Sequence, residues 1–192
     1  MPAHPLERFY HQILPRFSPR AEEILQHVNM KDLQSLSFRY VFTVSGMIEI
    51  SHLIENFVTQ NPQVADLHVS FQYFSRFVPQ VHRYREIAES AKGLWLYGVK
   101  DTLLPELPRT TVIDTTNTRL VDYWFVIAYG PGVHMSLVAE ELYPSERLPG
   151  EERVYEGFYT FDPVVAFQLV NLMHQIYPQF VPAPTPPELF EP

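Results

Sequence analysis

The sequence contains no cysteine. That absence excludes disulfides, thiolate metal sites, iron–sulfur clusters, cysteine nucleophiles and thioether-linked chromophores together. No cofactor and no metal is expected. Positive charge is also scarce, with 14 Lys and Arg against 22 Asp and Glu and a formal net charge of -8. Phosphate binding wants a basic stripe, so a nucleic-acid partner is not expected. Long apolar runs are missing, and "MPAHPLERFYHQILPRF" has no charged segment followed by an apolar one. The expectation is a cytoplasmic protein with no membrane partner. Glycine is sparse, 7 residues against 18 prolines, and no glycine-rich dinucleotide or P-loop pattern can be written.

What is present fits one domain: 192 residues suffice to bury a core without staples. Residues 1–34 read as a helical extension, 35–178 as the domain and 179–192 as a proline-rich flexible tail. In the extension, "LERFYHQIL" ends at Pro15, and Ser18-Pro19 supplies an N-cap and first position for a second helix. "FRYVFTVSGMIEISHLIENF" reads as strand, tight Ser-Gly turn and helix, with Met47, Ile50, Ile54 and Phe57 on one face. "VSFQYFSRF" reads as a strand leading into a helix over "VPQVHRYREIAESAKG".

From residue 94 the period is that of a sheet: "LWLYGV", "TTVIDTT", "VDYWFVIAY", "VHMSLVAEEL" and "RVYEGFYTF". Gly130-Pro131-Gly132 suits a type II turn joining two of these strands. "YWFVIA" is apolar on both sides and should be central. Tyr155, Tyr159 and Phe161 share a face, with Gly157 where a backbone approaches closely. The fold class is α/β (mixed α+β): a single mixed, largely antiparallel sheet of about five to six strands flanked by helices.

Asp162-Pro163 then caps a final helix that carries no formally charged side chain up to Glu188. Val165, Leu169, Leu172 and Ile176 form an apolar line that Val164, Phe167, Val170, Met173 and Tyr177 widen, leaving Gln168, Asn171 and Gln175 as an uncharged stripe. So wide an apolar surface needs cover on more than one side. The N-terminal helices could supply it in cis, or another chain in trans. Phe167, Val170, Met173, His174 and Tyr177 are the candidate partner-interface residues, and glutamate at Val170 or Met173 is expected to separate the copies while the strands stay folded.

Chemistry is harder to find. The i, i+4 pairs Glu7/His11 and Glu23/His27, and the Glu-x-x-His of Glu49 and His52, have metal-ligand spacing. Di-metal bundles need a second such motif, and a polar outer face with Glu55 and Asn56 is the plainer reading. His82, Arg83 and Arg85 read as a solvated side. Asp114, His134, Ser136 and Glu140 contain triad residue types, but Ser136 lacks the sharp turn that presents a catalytic serine. No catalytic residue is assigned. The strand aromatics could line a pocket for a flat ligand or be plain core.

The strand-Ser-Gly-helix order, "ESAKGLWLYGVKD", "YWFVIAYGPGVHMSLVAEEL" and "YEGFYTFDPVVAFQL" together resemble the DICT sensory domain family, named for bacterial diguanylate cyclases and two-component systems. The resemblance runs from about Ser35 to Tyr177, and "LVAEEL" and Arg153 to Asp162 are its most telling parts. It implies a sensory or protein-interaction module in signalling, with no catalytic residues to carry over. At this length no output domain is expected, so the favoured function is a non-catalytic signalling module acting in trans on a kinase, cyclase or photoreceptor. It would self-associate, as a dimer, through the last helix. The alternative is a small-molecule sensor, with Ser45, Gly46, Trp95, Trp124, Arg153, Tyr155 and Tyr159 as ligand-pocket candidates. A small-metabolite enzyme stands third.

Overall fold

A computed structural model of the chain describes residues 4–13, 19–20, 38–142 and 153–190. Helix α1 is Pro5–Ile13, and the two-residue strand β1 is Pro19–Arg20. Strand β2, Phe38–Thr43, runs straight into α2, Val44–Gln60. Strand β3, Asp66–Tyr73, leads through a helical turn at Phe74–Phe77 and a 3-10 turn at Val78–Gln80 into α3, Val81–Ser90. Four strands follow: β4, Gly93–Val99; β5, Thr110–Asp114; β6, Tyr123–Gly130; and β7, Val133–Glu141. The described chain closes with β8, Val154–Thr160, then α4, Pro163–Ile176.

All the strands join one mixed sheet in the order β1-β2-β8-β7-β6-β3-β4-β5. Pairing is antiparallel from β2 through β8, β7 and β6 to β3, and parallel between β3, β4 and β5. The expected mixed, largely antiparallel architecture holds, with seven full strands and the short β1 among the described residues where five to six strands were expected.

Alternation along the central strands divides the core in two. Val126 and Ala128 point to the side of α2 and α3, packing with Met47, Ile50, Ile54, Tyr84 and Ile87. Phe125, Ile127 and Tyr129 point the other way, to Leu6, Tyr10, Val165, Leu169 and Met173 of α1 and α4. The molecule is therefore a helix–sheet–helix sandwich, and "YWFVIA" is covered on both faces as its composition requires. Each fully buried Val, Leu or Met side chain is worth ~1.5–3 kcal/mol.

Local chemistry explains several boundaries. Asp162 accepts from the Val164 N–H at 2.8 Å and Pro163 opens α4, the cap read from sequence. Gly132 has φ +69, which the second central position of a type II turn demands. There is no tight turn ahead of α2. Thr43 caps it directly, accepting from the Gly46 N–H at 3.2 Å, so Ser45 and Gly46 lie in its first turn. Pro19 does not open a helix: Pro19 and Arg20 pair in parallel with Arg39 and Tyr40. Ser18, Glu23 and His27 lie outside the described residues.

The last helix is covered within the chain. Its inner side rests on the sheet, and Leu6, Tyr10 and Ile13 of α1 join the same buried cluster. The proline-rich segment, expected as a flexible tail, is instead docked. Val181 is buried, Trp95 donates its indole N–H to the Phe180 carbonyl at 2.8 Å, and the Tyr129 hydroxyl donates to Thr185 at 2.6 Å. Gln168 and Gln175 face solvent beside exposed Val164. The charge-free face thus sees the chain's own ends, and an amide stripe meets the water.

Gly157 confirms its expected close approach. A Cβ there would stand 2.2 Å from the Val138 carbonyl oxygen and 2.5 Å from the Ala139 Cβ. Strand β8 is hydrogen-bonded on both sides, so it cannot move away without breaking a ladder. Gly157→Ala is expected to cost about 3 kcal/mol, measurable as a lower urea midpoint with an unchanged slope.

Candidate functional site

Beneath the N-terminal half of α2 lies a cavity of about 280 Å³. Its apolar wall includes Val44, Ile48, Val69, Trp124 and Val126, and its polar groups include Ser51, Glu55, Ser70, Gln72, Arg76 and Arg153. The antiparallel order gathers these groups. The end of β3, the start of β6, the end of β7 and the approach to β8 meet at one end of the sheet, where β2 hands over to α2.

Gln72 is the centre of the polar side. It is 2% exposed and has φ +60, a left-handed backbone in a side-chain-bearing residue. The β3–β4 register slips between Ser70 and Gln72, a bulge that re-aims the side chain inward. Its amide nitrogen donates to the Val121 carbonyl and to Glu141 Oε2, both at 2.8 Å. Its amide oxygen accepts from the Tyr155 hydroxyl at 3.0 Å, from Arg76 Nη1, and from Arg153 Nη1 at 3.4 Å. Backbone strain of this kind costs about 1–3 kcal/mol and persists where surroundings over-determine it.

Electrostatics follow from burial. Desolvation lowers the Arg76 pKa below the usual guanidinium range, and the Arg153 charge lowers it further. Burial pushes Tyr155 up to about 12. Across the cavity Glu55 is 3% exposed, and its carboxylate takes Arg83 Nε at 2.7 Å and the Tyr84 hydroxyl at 2.5 Å. Burial and then the Glu55 charge hold the Tyr84 hydroxyl well above its ordinary pKa. This trio ties α2 to α3 over the cavity.

Of the seven sequence-derived pocket candidates, Trp124, Arg153 and Tyr155 come together here. Trp124 donates to Ser51 Oγ at 3.2 Å and meets Tyr155 edge-on at 5.6 Å. Ser45 is exposed and Gly46 serves the α2 cap. Trp95 is on the opposite face of the sheet, stacked on His68 at 4.6 Å. Tyr159 packs with Phe161 farther along β8.

Among the interface candidates, Val170 and Met173 are 3% and 0% exposed. His174 Nδ1 lies 2.7 Å from the Val181 carbonyl, and Tyr177 stands 6.0 Å from the Tyr97 ring. Phe167 is partly buried beside Tyr129.

Sequence reasoning missed Glu55, Gln72, Arg76 and Tyr84. Glu55 belongs to the buried side of α2 and Arg83 is its partner, which corrects the solvated readings of both. Glu49 is exposed, and His52 lies at the cavity wall. Glu7 pairs with Arg119 while His11 Nε2 lies 3.6 Å from Glu140, so neither supports a shared metal. Among the described residues no group of three His, Asp or Glu is placed to hold a metal ion. Ser136 Oγ is buried without a hydrogen-bond partner, so it forms no Ser–His pair. No described helix is long and apolar enough to cross a membrane.

The fold is thus a layered α/β domain with a strained, hydrogen-bonded glutamine at the wall of a half-open cavity. The chain belongs to the DICT family, the sensory domain in diguanylate cyclases and two-component systems, which matches residues 22–142. It is thus a sensory domain of signalling proteins. The match ends at Leu142, ahead of β8 and α4, so Arg153 to Asp162 lies beyond it. No curated protein matches. Among solved structures, NucT from Helicobacter pylori is similar over 77% of this chain and 98% of its own, at 8% identity and a TM-score of 0.40.

Proposed function

We propose that this chain is a non-catalytic sensory module whose cavity beneath α2 takes a small molecule and whose occupancy is passed to a separate signalling protein, such as a kinase, cyclase or photoreceptor. The observation that carries this is Gln72, buried in a left-handed conformation that its five side-chain hydrogen-bond contacts hold at the cavity wall. Strain kept in place beside a cavity is a feature of ligand clamps and switches. The Glu55–Arg83–Tyr84 tie gives occupancy a route outward, because a ligand that spreads α2 from α3 must act on it. Such a shift requires different affinity for the two helix arrangements.

Self-association through α4 has less support, since the residues chosen for it are covered by α1, the sheet and the docked tail. Native mass spectrometry of full-length protein separates the readings. A ligand-sensing module should retain a small organic mass, lost when Val126→Phe fills the cavity, and saturating ligand should raise Tm by roughly 5–10 °C. A clean dimer at ligand-free mass, with no compound raising Tm, would overturn the sensor reading in favour of self-association.

A further inference from the structure

The chemical class of the ligand can be read from the charge that the cavity leaves without a partner. Glu55 is matched by Arg83 at 2.7 Å. Glu141 is 6% exposed and accepts from the Gln72 amide. Arg76 is different. It lines the cavity, yet it makes no ion pair among the described residues, and one of its N–H groups, on Nη1, is used by Gln72. A guanidinium has five N–H donors in a planar fork that matches a carboxylate. Its guanidinium carbon also lies 5.1 Å from the Tyr73 ring, and the Glu141 charge acts on it without forming an ion pair, against the opposing charge of Arg153. A partly buried cation beside a largely apolar space is costly unless a counter-charge completes it.

We infer that the cavity takes a small organic monoanion, its carboxylate seated against Arg76 and its flat or branched apolar body against Trp124, Val69 and Val126. Arg153 also lines the cavity and shares the Gln72 amide oxygen with Arg76, but Arg76 is the cavity cation that has no ion pair among the described residues, and it asks for one negative charge. The volume of about 280 Å³ lies at the lower end of ligand pockets, which limits the body to about one ring. Gln72 fixes the fork, because the bond from Arg76 Nη1 to its amide oxygen orients the guanidinium before any ligand arrives. This inference rests on the cavity being a ligand site.

The test compares acids with their neutral amides, which have nearly the same shape. Benzoate, phenylacetate and cinnamate, each beside its amide, are titrated into full-length protein by calorimetry, with inorganic phosphate as a further probe. The expected result is binding of at least one acid with its amide roughly thirtyfold weaker or worse. In Arg76→Gln the acid should fall to the level of the amide while the circular dichroism spectrum is unchanged. The acid–amide contrast in the native sequence stands without that variant. Equal binding of acids and amides would overturn the anion assignment while leaving the cavity as a ligand site. Phosphate binding as tight as the best acid would overturn the apolar-body assignment, and failure of every acid would overturn the inference. A retained mass in the native spectrum would show the sensor reading surviving any of these failures.

Discussion

Glutamate at Met173 should unfold the domain. Met173 is 0% exposed on the inner side of α4, in the cluster that joins α1, α4 and the aromatic face of the sheet. Losing a buried Met side chain costs about 2–5 kcal/mol by itself. The new carboxyl must also shed its charge in that setting. Taking a proton at pH 7 against an ordinary pKa near 4.3 costs a further ~3.7 kcal/mol, at ~1.36 kcal/mol per pH unit. The sum, about 6 kcal/mol or more, rivals the whole stability of a typical domain. The folded pKa of this carboxyl would be raised, so the loss is smallest below pH ~4 and grows as pH rises. Met173→Leu, which keeps volume and polarity, should cost under about 1.5 kcal/mol. The measurement is circular dichroism with size-exclusion chromatography. A folded, merely dissociated Met173→Glu protein would restore the intersubunit surface first expected from the sequence and refute the placement of α4.

Acid should destabilise the fold through His68. Its ring is 1% exposed, stacked on Trp95 with an interplanar angle of 10°, and its Nδ1 lies 2.9 Å from the Tyr97 hydroxyl. Burial lowers its pKa from 6.5 to about 3. Below pH 6.5 the unfolded chain binds a proton that the folded chain refuses until about pH 3. Stability is therefore complete above 6.5 and is lost as pH falls, by ~1.4 kcal/mol per pH unit. Between 6.5 and about 3 the total approaches about 5 kcal/mol. Burial also lowers the pKa of His134, which adds to the same trend. The difference between the native protein and His68→Asn isolates the contribution of His68. Urea stabilities at pH 7, 5 and 4 should converge as pH falls, and a constant gap between the two proteins would show that His68 is already protonated in the fold.

These two residues show where the sequence was and was not legible. The period of "YWFVIA", the Asp162-Pro163 cap and the Gly130-Pro131-Gly132 turn are local signals, and each reappears in the structure because a cap or turn is decided by a few neighbouring residues. Gly157 was readable for a related reason: a lone glycine inside an apolar strand marks a close backbone. The cavity was only half legible. Trp124 and Tyr155 lie on strands whose facing can be counted by twos, and Arg153 immediately precedes β8. Gln72 sits past a bulge that breaks the count, and no pattern in the sequence singled it out. Glu55 and Arg83 each look solvated alone, yet with α2 and α3 side by side Glu55 is buried and Arg83 is half-buried against it.

By itself the sequence determined the mixed sheet, the positions of α2, α3 and α4, the exclusion of cysteine chemistry and membership of a sensory family, because composition, short-range periodicity and capping act within a few residues. Only the tertiary structure decided what covers α4 and which polar groups share the cavity. Both depend on contacts between segments far apart in the chain: α1 with α4, Trp95 with the docked tail, and Gln72 with Glu141 and Tyr155. No local pattern encodes such contacts, since burial and charge pairing are properties of the assembled layers.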